Sequence, residues 1–214
     1  MNELLAHILF IGNGITLTLY LLTCSLLVGL ILGTLLSILR YKGIYVLVIN
    51  RLISVLRGTP LILQLSFIFF STPGLLGIKL SIVGAGVVAF GLNSAAYIAE
   101  IMRAGIESIP TGQFEAAKTL QIPNFYMWKD VILPQVIKNI LPGLINEMIT
   151  LLKETALIAT IGGADIMRKA QMLAAEQFTY FMPLCIAGCY YYGLVLLIEL
   201  LGKKIEQRRT HVNA

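Results

Sequence analysis

Long apolar runs alternate with short polar segments along this chain. The runs extend over residues 15–39, 52–70, 80–102, 140–161 and 182–201. A helix needs roughly 20 residues to cross a hydrocarbon core of about 30 Å, because each residue adds about 1.5 Å of length. Every run has about that length, so the pattern predicts an all-α integral membrane protein. We expect five transmembrane helices in a single domain over residues 1–214.

The composition strengthens this prediction. Apolar residues make up 57% of the chain and charged residues only 13%, whereas soluble domains carry about 25% charged residues. The first run does not look like a secretory signal, because the preceding MNELLAH contains no Lys or Arg and the apolar stretch is too long. We therefore expect the first run to be retained as a membrane helix.

Basic residues gather at particular ends of the runs. The net charge of +5 could suggest nucleic acid, but Lys and Arg form no single patch with interleaved aromatic residues. The basic residues that flank the first and third connections or follow the fifth run are Arg40, Lys42, Arg51, Arg57, Arg103, Lys118, Lys129, Lys138, Lys203, Lys204, Arg208 and Arg209. The other side has Lys79, Arg168 and Lys169. The positive-inside rule then predicts an amino terminus outside and a carboxyl terminus in the cytoplasm.

This topology makes the segment at about residues 103–138 the main cytoplasmic feature of the chain. Pro123 is predicted to break one short helix and to begin a second, which Pro134 then ends. The segment is too small to be a catalytic domain.

The predicted second helix of this segment carries an apolar stripe. Phe125, Trp128 and Ile132 recur at steps of three and four residues, which places them on one helix face. Such a stripe needs a partner, and the periodicity favours the lipid interface and another protein equally.

Several sequence motifs point to a known family. EAAKTLQ from Glu115, followed by VILPQ, resembles the EAA loop in the membrane subunits of binding-protein-dependent ABC importers. Three further stretches resemble the polar amino-acid permease branch of that family: RGTPLILQL from Arg57, LNSAAYIAEIMRAGIESIPTGQFEAA from Leu92, and LLKETALIATIG from Leu151. The string EAAK alone is only a good helix former. The similarity, however, covers nearly the whole chain in order and at sensible spacing.

The resemblance implies the fold of a type I ABC importer permease. It also implies that the chain lies in the bacterial inner membrane and pairs with an identical or related permease. It implies a dimer of ATP-binding subunits that holds ATP and Mg²⁺, and a periplasmic binding protein that delivers a polar amino acid. The chain itself would be no enzyme and would bind no cofactor or metal. The residues implied in coupling to the ATP-binding subunit are Gly112, Glu115, Ala116, Ala117 and Gln121.

Gln121 departs from the family pattern. The family usually has Gly six residues after the motif Glu, where the chain turns between two short helices. Glycine is favoured there because it takes a positive φ without a steric penalty. Gln121 must therefore either accept some strain or turn differently.

Polar residues within the apolar runs are candidates for the translocation path, because ionisable groups inside a membrane are unfavourable unless they serve a pathway or a pairing. Asn93, Tyr97 and Glu100 share one face of the third run. Glu100 fits two hypotheses equally, a place on the path or an ion pair with Arg103, one turn away.

Glu147 and Glu154 share a face of the fourth run, and Lys153 and Thr155 flank Glu154. The resemblance to amino-acid permeases suggests that groups here, including Glu154 and Thr155, meet the ammonium and carboxylate of an amino acid. In the second run, Thr59 and Gln64 are the corresponding candidates, and Pro60 between them can bend the backbone. For each of these residues, hydrogen bonding between helices is at least as good an explanation.

Two other features have structural interpretations. GLILG at residues 29–33 is a face for close helix packing, which could serve a dimer. The connection at residues 162–180 is mildly amphipathic and could either dock the binding protein or lie among lipid headgroups.

The function predicted from these observations is the permease subunit of an ATP-driven importer of polar amino acids. The chain has no P-loop motif, so the energy must come from a partner. The alternative is an ion-coupled secondary transporter or channel, for which two similar inverted halves would be expected. A membrane-embedded enzyme is a weaker alternative, because the two His residues lie at opposite chain ends.

Overall fold

The computed structural model describes the backbone of residues 2–211 and the side chains of residues 3–206. All regular elements in that part of the chain are helices, in agreement with the predicted all-α architecture. Arg208 and Arg209, two of the predicted cytoplasmic charges, lie outside the described side chains.

The helices follow one another with short connections. They are α1 (Asn2–Gly12), α2 (Ile15–Tyr41), α3 (Val46–Gly58), α4 (Leu61–Leu76), α5 (Ile82–Glu107), α6 (Thr111–Thr119), α7 (Asn124–Tyr126), α8 (Leu133–Glu154), α9 (Ile166–Gln177) and α10 (Phe181–His211). A π-helical turn, Met127–Ile132, joins α7 to α8, and a 3₁₀ turn, Thr155–Ile161, follows α8.

Helix α5 is the centre of the bundle and packs closely on α2. A Cβ atom at Gly33 would lie 2.7 Å from the carbonyl oxygen of Ala95, and one at Gly29 would lie 2.8 Å from Ser94 Oγ. Only glycine allows this approach of the two helices. The predicted packing face of residues 29–33 is therefore confirmed, and its partner is α5 of the same chain.

The second apolar run is not one straight helix. It is divided between α3 and α4, which are bent by 101° relative to each other. Pro60 lacks a backbone N–H and disfavours the helical conformation of the residue before it. Thr59 is accordingly extended, with φ −114° and ψ 143°.

Three helical segments in the described part of the chain are long and apolar enough to cross a membrane: Glu3–Tyr41, Ile82–Glu107 and Phe181–Glu206. The bent pair of α3 and α4 raises the number to four if it is one span. The fourth predicted run, residues 140–161, falls on the later part of α8 and the following 3₁₀ turn, and it is not among these three segments. The chain is thus a multi-helix membrane protein, and a total of five spans stays a prediction.

The connection predicted at residues 162–180 contains a helix of its own. Helix α9 packs through Ile166, Ala170 and Leu173 onto Ile186 and Ala187 of α10. Residues 178–180 link the two helices. One side of α9 is therefore buried in the bundle and the other is exposed.

Candidate functional site

The coupling segment is built around α6, which has two distinct faces. Gly112, Glu115 and Ala116 are exposed and lie at i, i+3 and i+4, on one side of the helix. A Cβ atom at Gly112 would meet no atom within 4 Å. Within the described side chains Glu115 forms no ion pair, so its carboxylate is available to a partner.

The opposite face of α6 fixes the helix to the bundle. Ala117 is only 3% exposed and belongs to an apolar cluster with Ile109, Met127, Ile132, Val136 and Ile140. Its methyl group thus packs against this chain. This corrects the prediction that Ala117, like Glu115 and Ala116, presents a contact surface for another subunit.

Helix α6 ends in a tight reversal at Gln121. This residue takes the left-handed conformation with φ +53°. The N–H of Gln121 donates to the carbonyl of Lys118 at 2.9 Å, and the N–H of Ile122 donates to that of Ala117 at 3.0 Å. These two bonds define a Schellman motif, in which the residue after the helix normally is Gly. Of the two possibilities left open by the sequence, Gln121 therefore accepts the strained conformation.

The apolar stripe predicted after Pro123 packs mostly on its own chain. Trp128 makes edge-to-face contacts with Tyr41, at 4.9 Å between ring centroids, and with Phe114, at 6.1 Å. Ile132 is fully buried. Phe125, which is 67% exposed, is the member of the stripe that faces outward. Sequence periodicity missed this arrangement because a π-helical turn changes the spacing of residues on a face.

Pro134 does not end the second helix, contrary to the prediction. It lies in the first turn of α8, which continues directly from the π-helical turn. A proline is tolerated there because the wider turn has already broken the regular hydrogen-bond pattern. Leu133 N–H bonds Trp128 O, five residues back, and the Gln135 side-chain amide donates to Val131 O at 2.7 Å.

Glu100 is the centre of an ion cluster that joins three helices. Its carboxylate is 2.5 Å from Arg40 Nη1 of α2, 2.9 Å from Arg103 Nη2 of α5 and 3.4 Å from Arg57 Nη1 of α3. Arg103 also bonds Glu107 at 2.6 Å. The ion pair considered from the sequence is present, and Arg40 and Arg57 extend it. Arg40 and Arg57 lie at predicted cytoplasmic ends of apolar runs, and this position is the feature of the sequence that could have indicated their place in the cluster.

The other two residues predicted on the Glu100 face differ in their surroundings. Tyr97 is partly exposed, and the guanidinium of Arg57 lies over its ring at 5.1 Å from the centroid. Asn93 is 3% exposed and faces the interior of the bundle. Tyr97 therefore joins the ion cluster, whereas Asn93 is one turn deeper in the protein.

Thr59 and Gln64 stabilise the break between α3 and α4. The amide nitrogen of Gln64 donates to Leu56 O at 2.7 Å and lies 2.9 Å from Thr59 Oγ1. Thr59 Oγ1 in turn donates to Val55 O at 2.8 Å. These bonds satisfy groups at the end of α3 that have no partner within a regular helix. Both path candidates thus also have a structural role.

The acidic residues of α8 lie in different environments. Glu147 is 6% exposed and accepts a 2.7 Å hydrogen bond from Ser94 Oγ of α5. Glu154 is partly exposed and Lys153 is exposed. Thr155 is fully buried and donates to Leu152 O at 2.7 Å. Glu154 can therefore face a path in this conformation, whereas the Thr155 side chain is enclosed by the chain itself.

Comparison with known proteins agrees with this architecture. The model of the family described as binding-protein-dependent transport system inner membrane component matches residues 25–211. A Rickettsia typhi protein that bears the name of a glutamine transport system permease is 48% identical over 203 residues, which cover 94% of this chain and 93% of that protein. The arginine transport system permease protein ArtQ of Bacillus subtilis is 45% identical over 201 residues, covering 93% and 92% of the two chains.

Solved structures show the same fold. A crystal structure of an amino acid ABC transporter with histidines superposes with a TM-score of 0.90 at 36% identity, over 96% of this chain and 97% of that one. An inward-facing MetNI methionine ABC transporter gives a TM-score of 0.75 at 18% identity, over 93% and 95% of the two chains, and supports the fold alone. On the extent of the family match and the identity to these relatives, the chain belongs to the family of inner membrane components of binding-protein-dependent transport systems.

Proposed function

We propose that this chain is the permease subunit of an ATP-driven importer of polar amino acids. The relatives named above carry the names of glutamine and arginine permeases, and the similar solved structure is of an amino acid transporter with histidines. These substrates share a zwitterionic backbone and a polar side chain. The ion-coupled alternative is not favoured, because the family is defined by its dependence on a binding protein.

The observation that carries the proposal is the division of α6 into two faces. Ala117 fastens the helix to the bundle, while Gly112, Glu115 and Ala116 form an open surface that no part of the described chain covers. Small residues allow close approach of a partner, and a free carboxylate can accept charge-assisted hydrogen bonds. We propose that this surface docks on a separate ATP-binding subunit, which holds ATP and Mg²⁺.

Side-chain contacts connect α6 to the rest of the bundle, so a movement of α6 can be transmitted to the other helices. Trp128 contacts both Phe114 of α6 and Tyr41 at the end of α2. Arg40 precedes Tyr41 and bonds Glu100 of α5. A displacement of α6 on ATP binding would therefore be transmitted to the ion cluster of Glu100, which joins α2, α3 and α5.

The path is proposed to run between two copies of the chain, or between it and a related permease. Candidates for contact with the substrate are the partly exposed polar groups Tyr97, Glu100 and Glu154, with Thr59, Gln64, Asn93 and Thr155 as supporting residues. The proposed orientation has the amino terminus outside and α6 in the cytoplasm, by the positive-inside rule. Helix α9 then lies on the side of the binding protein.

The test is uptake of labelled glutamine, arginine and histidine into proteoliposomes. The vesicles contain this chain with its ATP-binding and permease partners, with ATP inside and the binding protein outside. We expect uptake of at least one of these amino acids that requires both ATP and the binding protein. Uptake that follows an ion gradient in vesicles without the ATP-binding subunit would overturn the proposal.

A further inference from the structure

A buried carboxylate joins α9 to α10. Asp165 is 0% exposed and precedes the first residue of α9. Its Oδ1 accepts a 2.8 Å hydrogen bond from the backbone N–H of Arg168, which caps the helix. Its Oδ2 accepts a 2.8 Å hydrogen bond from the hydroxyl of Tyr191 in α10. The cap alone would need only the first of these bonds.

The region around Asp165 also contacts α2 and the 3₁₀ turn after α8. A Cβ atom at Gly14 would lie 2.4 Å from the backbone of Asp165 and Ile166, so the start of α2 packs directly on this backbone. Tyr191 packs against the apolar cluster that contains Leu152 of α8 and Ile158 and Ile161 of the 3₁₀ turn. Thr155, the first residue of that turn, is fully buried. Thr155 directly follows Glu154, a candidate for contact with the substrate.

We propose that Asp165 and Tyr191 are positioning residues that transmit the docking of the binding protein on α9 to the segment around Glu154. This inference rests on the proposed function, which places α9 on the outer side. Buried hydrogen bonds to a charged group are not replaced by water when they are broken, so the bonded elements move together. A force on α9 is therefore passed to α10 and to the 3₁₀ turn.

Helix α9 has a free surface on which such a force can act. Met172 is 46% exposed and Phe178, just after the helix, is 96% exposed. Glu176 lies between them and is also exposed. Apolar side chains beside a charge suit a protein partner, and the same helix is held by Asp165 at its other end.

The test compares ATP hydrolysis with and without substrate-loaded binding protein in the complete reconstituted complex. Tyr191→Phe removes the hydroxyl and keeps the ring. The matched control is Tyr190→Phe, because the Tyr190 hydroxyl is bonded to the carbonyl of Ile8 in α1, at 2.9 Å, and does not bond Asp165. Asp165→Ser is a second variant, in which the shorter side chain can still cap α9 but lacks the second oxygen that accepts from Tyr191.

We expect Tyr191→Phe to lower the stimulation by the binding protein on the order of five-fold, the equivalent of about one net hydrogen bond. Basal hydrolysis and the yield of assembled complex should stay at the wild-type level, and Tyr190→Phe should be stimulated like the wild type. If Tyr191→Phe assembles poorly, Asp165→Ser must show the same selective loss. A purely structural role would lower basal hydrolysis, stimulation and yield together.

Two results would count against different parts of the account. Stimulation of wild type and Tyr191→Phe to the same extent would overturn the positioning role and leave the proposed function intact. A wild-type complex that the binding protein does not stimulate would overturn the proposed function, and with it this inference.

Discussion

At the scale of single residues, Gln121 is one of three non-glycine residues in the described chain, with Tyr45 and Phe178, that take the left-handed conformation. A non-glycine residue in the left-handed conformation is less stable by roughly 1–2 kcal/mol, because its Cβ approaches the following carbonyl oxygen. The Schellman hydrogen bonds of Gln121 and Ile122 hold it there. Replacing it by Gly removes the strain but adds conformational freedom to the unfolded chain, which offsets roughly 0.5–1 kcal/mol.

The variant Gln121→Gly is therefore expected to stabilise the end of α6 by about 0.5–1 kcal/mol. Hydrogen exchange of the amides at residues 119–123 should slow by roughly two- to five-fold. Gln113→Gly is the matched control, since the same change inside α6 should destabilise the helix by up to about 1 kcal/mol. Faster exchange in Gln121→Gly would show that Gln121 is not strained at this position.

At the scale of elements, the ends of α2, α3 and α5 are tied together by one carboxylate. Glu100 is only 19% exposed at its side chain and faces three guanidinium groups. Glu107, two turns further along the same helix, is 60% exposed, and its one ion pair among the described side chains is with Arg103. Exposed pairs contribute about 0–1 kcal/mol, whereas hydrogen bonds to less exposed charged groups contribute about 1.5–3 kcal/mol each.

We thus expect Glu100→Gln to destabilise the protein by about 1–3 kcal/mol and Glu107→Gln by less than about 1 kcal/mol. The measurement is the midpoint of thermal unfolding of both variants in the same detergent. Equal midpoints for the two variants would show that the cluster does not hold the three helices together.

Apolar periodicity predicted most of the helices, because each long run must bury its backbone hydrogen bonds in a helix within the membrane. It could not predict the 101° angle between α3 and α4, since the periodicity of a run does not report helix direction, although Pro60 indicated that the backbone can bend there. It also missed the helical α1, whose residues precede the first long run. The π-helical turn at Met127–Ile132 was not predicted, because it changes the spacing of residues on the apolar stripe of Phe125, Trp128 and Ile132 without a change in composition.

The sequence predicted individual residues of the candidate site better than it predicted their arrangement in space. The ion pair of Glu100 with Arg103 follows from their spacing on one helix. Arg40 and Arg57 are remote in sequence, so only the packing of α2 and α3 on α5 brings them to Glu100. Similarly, the burial of Ala117 depends on residues of the π-helical turn and α8, which the α6 sequence does not contain.

At the scale of the whole molecule, the two surfaces proposed for partners lie at different places on one bundle. Helix α6 presents Glu115, and α9 presents Glu176, while α5 packs between the other long helices. Many large apolar side chains are exposed on α2, α4 and α10. In a membrane protein, such surfaces face lipid or a second permease. These exposed faces fit a helical bundle that is embedded in a membrane.

The proposed docking of the ATP-binding subunit on the exposed face of α6 is tested most directly by co-purification of that subunit with Glu115→Arg. Glu176→Arg is the matched control, because it makes the same charge reversal on an exposed face of α9. We expect loss of the ATP-binding subunit from Glu115→Arg and its full retention by the wild type and by Glu176→Arg. Full retention by Glu115→Arg, with ATP-dependent uptake at the wild-type rate, would contradict the account.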